Sequence, residues 1–273
     1  MNAAPSDNEA IPALDVLGRD LLVTTRRQRW LACARPLVGV ALYVVLALLG
    51  WWWLTPFVVF LVFVAVVTVT HDVVHGSLGL SGRHTEWALF IFGAILLESG
   101  HAYRLTHLQH HRVFPGPDDP EGDPCRMSLC GAVLFGPLFL PRLWWWAFRH
   151  SAGEAAVRRW LLLEAAWALL VPLAGVLLFP WTPLVLVYAI LVLSGSWVYP
   201  LLTVYLPHHH YGDSPLTQTS SLRGRVIPVL FLELTYHLEH HLYPRVPSHQ
   251  LPELGRRLEP FFKDQGVKLR RVL

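Results

Sequence analysis

Charge is scarce in this chain. Asp, Glu, Lys and Arg make up 15% of its 273 residues, against roughly 25% in an ordinary soluble domain. With 53% hydrophobic residues and a mean hydropathy of +0.41, that shortage excludes a soluble enzyme, a disordered chain and a nucleic-acid partner. Lysine is nearly missing. Only Lys263 and Lys268 are present, so the net charge of +3 rests on arginine. Cysteine is scarce as well. Cys33, Cys125 and Cys130 form no CxxC pair, which rules out a disulfide scaffold and a fused ferredoxin. No GxGxxG for a dinucleotide and no apolar run with a cleavage site near Met1 is seen, so neither a built-in reductase nor a secretory signal is expected. What the chain has in excess is histidine, 15 residues, most of them clustered.

The hydrophobic residues fall in long blocks. Pro36 to Thr70 carries no charge and is interrupted by Trp51-Trp52-Trp53 and Thr55-Pro56. One span needs about 20 residues, so this block reads as two helices, 36–54 and 57–75, joined by a tight outer turn. Trp160 to Leu206 contains Glu164 as its only charge and is divided at Pro180-Trp181-Thr182-Pro183, giving a second hairpin, 160–179 and 182–206. Two shorter apolar stretches, Trp87–Leu97 and Leu129–Phe148, read as interfacial or re-entrant; the second is broken by Pro137, Pro141 and Arg142. Every Lys and Arg lies in 1–35, 72–159 or 211–273, and the two outer turns have none. The positive-inside rule then puts both termini and the middle segment in the cytoplasm, whereas three or five spans would place an arginine-rich segment outside. The expectation is an all-α integral membrane protein of the inner membrane. It has four transmembrane helices in two hairpins and a cytoplasmic helical cap, with a tail at 1–35, a membrane domain at 36–258 and a tail at 259–273.

Three histidine clusters carry the chemistry. His71-Asp-Val-Val-His75 places two imidazoles at i and i+4, on one helical face. His107-Leu-Gln-His110-His111 and His237-Leu-Glu-His240-His241 each repeat HxxHH, and positions i, i+3 and i+4 again share a face. Any one cluster is compatible with a polar interface. Together they put eight imidazoles on the predicted cytoplasmic side, and imidazole is the commonest metal ligand. One ion takes about four to six ligands, so two ions are the economical reading. No HExxH supplies a zinc-peptidase base, and imidazole suits iron. A metal-transport or storage protein and a membrane haem protein are rival classes. Both favour ligands within the spans, and these spans are nearly free of ionisable groups.

HDVVH, HLQHH and HLEHH resemble the three histidine boxes of the membrane fatty acid desaturase-like superfamily, over about residues 60–255. That resemblance implies a non-haem di-iron oxygenase or desaturase that uses dioxygen. It implies His71, His75, His107, His110, His111, His237, His240 and His241 as iron ligands. A further histidine before the third box is expected by the same resemblance, and Leu206-Pro207-His208 fits it, with His209 and His210 adjacent. The setting of the boxes is similar to that of bacterial and cyanobacterial carotenoid hydroxylases and ketolases. Its elements are Asp118-Asp-Pro-Glu-Gly-Asp-Pro124, Tyr205-Leu-Pro-His208 and Tyr236 to Pro247. Where those enzymes carry Arg after the LPH histidine, this chain has His209. The implied reaction is hydroxylation of a carotenoid ring, with ketolation or fatty acyl desaturation as alternatives. The implied partners are a carotenoid or membrane-lipid substrate and an external, ferredoxin-like electron donor.

Metal-bound imidazoles usually donate their second N–H to a carboxylate or carbonyl. Asp72, Asp118, Asp119, Asp123 and Glu239 lie within or beside the boxes and are candidates for that role. His84, His101, His150 and His249 fall outside the box spacing and read as surface or interfacial residues. Arg142, Arg149, Arg158 and Arg159 read first as contacts to lipid phosphates or topology determinants, and second as a docking surface for an acidic electron donor. The runs Trp51–Trp53 and Trp144–Trp146 read first as interface anchors, and second as a tunnel lining.

Overall fold

The computed structural model describes residues 11–273, mostly as helices. Helix α1 (Arg26–Leu48) is opened by a capping box in which Thr25 and Gln28 satisfy each other's backbone N–H groups. Helix α2 (Thr55–Val74) has Pro56 in its first turn, where a missing N–H costs nothing. Helix α3 (Gly82–Leu96) and helix α4 (Gly100–Val113) follow, then α5 (Leu129–His150), α6 (Ala155–Leu178) and α7 (Leu184–Pro200). The α7 rod continues through a π-helical turn at Leu201–Tyr205 into Leu206–His208. Helix α8 (His237–Leu242) carries the last box, and α9 (Leu251–Asp264) closes the structure. Leu222–Arg223 and Arg270–Arg271 pair as a parallel two-stranded ribbon.

Among the described residues, five helices are long and apolar enough to cross a membrane: Arg26–Leu48, Trp52–Val74, Leu129–His150, Ala155–Leu178 and Leu184–His208. The first begins ten residues before the expected span at 36, because Arg26 to Arg35 join the same helix. The fifth candidate, α5, is the stretch that the prolines and Arg142 had marked as interfacial. Helix α9 runs without a break across the expected boundary at 258/259, and its buried face (Leu251, Leu254, Leu258, Phe262) packs on Leu17, Leu21 and Leu238.

Helix α2 is the most buried of the five and lies at the centre. Its Val58, Val62, Val66, Val69 and Val73 pack with Tyr43 of α1, Leu89, Phe92 and Leu96 of α3, and Ala189 and Val192 of α7. Between lipid-embedded helices apolar burial gives little net drive, so close backbone approach matters more. Gly100, at the start of α4, is one such approach: an added Cβ would run into the Leu89 carbonyl of α3. Gly136 is another, where a Cβ would strike the backbone of Trp197 on α7.

A buried polar network ties α3, α4 and α6. Ser99 caps α4 by accepting from the Ala102 N–H at 2.9 Å and donates to Glu164 of α6. His101 bonds Glu164 through Nδ1 at 2.7 Å and Glu86 of α3 through Nε2 at 3.1 Å, and stacks on Trp160. Arg104 forks onto the same Glu86. The expectation of a surface or interfacial His101 is therefore corrected: it is 0% exposed, because it bridges the one acidic residue of the second hydrophobic block. His84 and His150 are exposed, and His249 is half-buried.

Candidate metal centre and its cavity

The boxes arrive from four places and sort into two clusters. His71 lies in the last turn of α2 and His75 just past its end. Box two lies on α4, His208 at the tip of the α7 extension and box three on α8. In the first cluster His71 Nε2 is 2.9 Å from His240 Nε2, which is 2.8 Å from His111 Nε2, which is 3.2 Å from His107 Nε2. His75 stands over them, 4.7 Å from His240 and 4.8 Å from His111 between ring centres. In the second, His237 Nε2 lies 3.0 Å from His208 Nε2 and 3.2 Å from His241 Nε2, with the His110 ring 4.9 Å from His208 and 5.2 Å from His241. The clusters adjoin, with the His111 and His241 rings 4.4 Å apart.

The spacing within each box explains the sorting. The i, i+4 pair His107/His111 goes to the first cluster and His110 to the second. Box three does the reverse: His237/His241 face the second cluster and His240 the first. All nine sequence-derived histidines thus lie in one cluster of five or one of four. Of the three adjacent histidines after Pro207, only His208 joins. His209 stacks on Tyr205, and His210 turns away with φ 61° and is exposed. The π-helical turn before Pro207 supplies the extra residue that swings His208 inward; such bulges recur at functional sites.

Outer contacts fix the rings. His208 Nδ1 donates to the Gln218 carbonyl at 3.0 Å, which leaves its Nε2 lone pair facing the cluster. His110 Nδ1 meets Asp119 at 2.8 Å and His107 Nδ1 meets Glu121 at 3.1 Å. Of the carboxylates expected in this role, only Asp119 bonds a box imidazole. Asp72 instead accepts from the Ser248 N–H and hydroxyl, at 3.0 and 2.7 Å, tying α2 to the segment after box three. Glu239, fully buried, is clamped by Ser221 and Arg223 and so anchors α8. Asp123 pairs with Arg142 at 2.5 Å, and Asp118 is exposed. Glu121 was missed by the sequence argument, although it stands in the same DDPEGDP turn; the Asp119 carboxylate accepts its backbone N–H at 2.9 Å and fixes its place.

The donor set fits metal ions. Among the described residues the Nε2 atoms converge mainly on one another, and His75 Nε2 is buried without a partner. Burial, reinforced by neighbouring imidazoles, pushes His107, His111, His237, His240 and His241 well below the usual histidine range, so they are neutral, the ligating form. Burial also opposes charge on His110, but the Asp119 hydrogen bond prevails and raises it, as a carboxylate does for ligand basicity.

Beside the first cluster lies an apolar cavity of about 300 Å³ between α2, the α3–α4 turn, α5 and α7. It reaches Thr70, next to His71, and Tyr103, whose ring stacks 4.8 Å from His107. Trp144 lines it while Trp145 is exposed, so the second aromatic run is divided between the two expected roles.

A profile of the fatty acid desaturase family matches residues 51–272. The chain belongs to the fatty acid desaturase family. That membership makes it an oxidoreductase and, with its apolar helices, a membrane protein. It is similar to the beta-carotene ketolase of a Paracoccus species, 27% identical over 229 residues that cover 81% of each chain. It is also similar to the acyl-lipid (9-3)-desaturase of Physcomitrium patens, 30% identical over 151 residues, 49% of this chain but only 28% of the plant protein. This desaturase-family chain thus spans under a third of one of these relatives and most of the other.

Proposed function

We propose that this protein is a di-iron oxygenase that adds oxygen to an end ring of a carotenoid. The observation that carries its di-iron part is the convergence of nine imidazoles on two adjoining centres: four (His71, His75, His107, His240) and three (His110, His208, His241) are close enough to share one ion each, with His111 and His237 in contact beside them. Iron bound there would supply reductive activation of dioxygen and removal of hydrogen from an unactivated C–H bond, chemistry no side chain performs. The protein's own part is positioning. Tyr103 and Thr70 bring the cavity wall against the His107 and His71 side of the first cluster, so a carbon held there approaches that cluster first. A cavity of about 300 Å³ accepts one ring of a long molecule and not its whole length. Leu193 and Trp197, exposed on α7, form its outer lip, through which the remaining chain would extend into the bilayer.

Hydroxylation is one oxidation at the ring carbon; a second at the same carbon followed by loss of water gives a ketone. The similarity to a ketolase, over 81% of each chain, supports the ring as target and leaves room for both products. An acyl chain is the second reading, supported by the similarity to a plant desaturase. The electron donor would be a separate ferredoxin-like protein. Expression in a host that accumulates β-carotene, under labelled dioxygen, tests the proposal. Labelled ring-oxygenated pigment is expected. New acyl double bonds with untouched pigment would replace the carotenoid reading with the desaturase.

We further infer four spans, α1, α2, α6 and α7, with the metal centre on the cytoplasmic face of the inner membrane. Helices α2 and α7 both end in the joined clusters, at His71 and His208, and so run the same way. With α5 as a fifth span they would run oppositely and their ends would lie on opposite sides. The arginine distribution supports the cytoplasmic side.

A further inference from the structure

The cavity is apolar except for a few groups that the metal centre does not use. Glu98 is a wall residue in the short turn between α3 and α4. Leu97, just before it, takes the left-handed conformation at φ 56°, a backbone state that non-glycine residues seldom adopt and that recurs where a side chain must be aimed. One carboxylate oxygen accepts a hydrogen bond from Ser196 of α7 at 2.6 Å. Among the described residues no Arg, Lys or His lies within ion-pairing distance of Glu98, unlike Glu86, Glu121, Glu164 and Glu239. Burial pushes this carboxyl up to about 7, so a large fraction carries a proton at neutral pH and can donate a hydrogen bond. Glu98 keeps accessible surface, and it is the cavity that supplies it. In the same wall Thr70 is 95% buried, and its hydroxyl has no hydrogen-bond partner among the described residues.

An apolar pocket gains nothing from a carboxyl held by one serine and from an unpaired hydroxyl. Both favour a ligand that brings a polar atom with it. We propose that the cavity selects an apolar molecule already carrying a hydroxyl or keto oxygen on the end it inserts, hydrogen-bonded by Glu98 with Thr70 as a second contact. Resting on the carotenoid reading above, the preferred substrate is then a ring-oxygenated carotenoid, not the parent hydrocarbon. The reaction that supplies it is an earlier ring oxygenation. Glu98 is a specificity-determining residue: Ser196 orients it, and it donates to the substrate oxygen. A carboxyl that merely ties the α3–α4 turn to α7 would show no such discrimination.

The test uses the full-length, iron-loaded protein in lipid nanodiscs, with a carotenoid hydrocarbon and its ring-hydroxylated counterpart as probes. Binding is read by quenching of tryptophan fluorescence and by pigment retained after washing, and turnover by kcat/KM. The wild type should prefer the hydroxylated probe by about tenfold in both readouts, the discrimination that one hydrogen bond to a charged or acidic group provides. Glu98→Gln, which can still donate, should keep most of the preference, and Glu98→Met should bring the ratio to about one. Equal handling of both probes by the wild type, or an unchanged ratio in Glu98→Met, overturns the proposal; the wild-type ratio decides it alone if the variant does not fold. If neither carotenoid binds, the carotenoid reading has failed. The selection rule is then read with a long-chain alkane and its terminal alcohol: a tenfold preference for the alcohol sustains it, and equal binding ends it.

Discussion

His240 is the residue on which the first cluster turns. Its Nε2 lies 2.9 Å from that of His71 and 2.8 Å from that of His111, so it is the contact between boxes one, two and three. Replacing it with alanine should lower bound iron from about two per chain to one or fewer, and turnover by more than about a hundredfold. Elemental analysis of anaerobically purified protein reads the first effect. His84→Ala, an exposed residue bonded only to Ser81 within its own turn, should leave both unchanged. The outer contacts give a finer contrast. Asp119→Asn weakens the bond that orients His110, and iron should be lost to a chelator at about ten- to a hundredfold lower concentration. Asp118→Asn, one residue away and exposed, should behave as wild type. At this scale the eight box imidazoles were readable because their spacing is helical and local, whereas His208 came from the family resemblance and not from any period. The choice among Asp118, Asp119 and Asp123, and the part of Glu121, were not readable, because they depend on how the DDPEGDP turn folds back onto α4, and no period encodes that.

Helices carry these residues only as accurately as they pack. Helix α4 brings three imidazoles to the site, and its first residue, Gly100, touches the backbone of α3 at Leu89. Gly100→Ala should push α4 outward, costing about 1–3 kcal/mol of stability and lowering iron occupancy. A thermal melt in detergent together with iron content checks both. The Glu164 network holds the same helix from the other side. Glu164→Ala strands His101 between α3 and α6, and loss of one partner of a buried pair costs about 3–5 kcal/mol. A fall in melting temperature with bound iron largely retained at low temperature is expected, since no box residue contacts Glu164. Loss of iron without loss of stability would contradict this account. Hydropathy located these helices well but blurred their ends. The apolar count placed the first span at 36, while the Thr25–Gln28 capping box starts the helix at Arg26. His101 was misplaced for a related reason: its partner is 63 residues away on another helix, and histidine spacing contains no trace of it.

At the scale of the whole molecule, one helix decides the topology. Five helices pass on length and composition, and α5 is the doubtful one: it carries Arg142 paired to Asp123, and Pro137 and Pro141 lie inside it. Sequence patterning favoured four spans because charge is excluded from two turns only. The structure adds a second argument, the common direction of α2 and α7 into one metal centre. The two counts make opposite assignments at the turns on either side of α6. With four spans the Ser151–Glu154 turn lies in the cytoplasm and the Pro180–Pro183 turn outside; with five spans the first is outside, the second inside, and the C-terminus outside. Reporter fusions at Glu154, Thr182 and Leu273 separate them. Cytoplasmic, external and cytoplasmic signals, in that order, are expected. The reverse order at all three would mean that His71 and His208 enter from opposite faces of the bilayer, and the joined clusters, with 4.9 Å between the His110 and His208 rings, could not form.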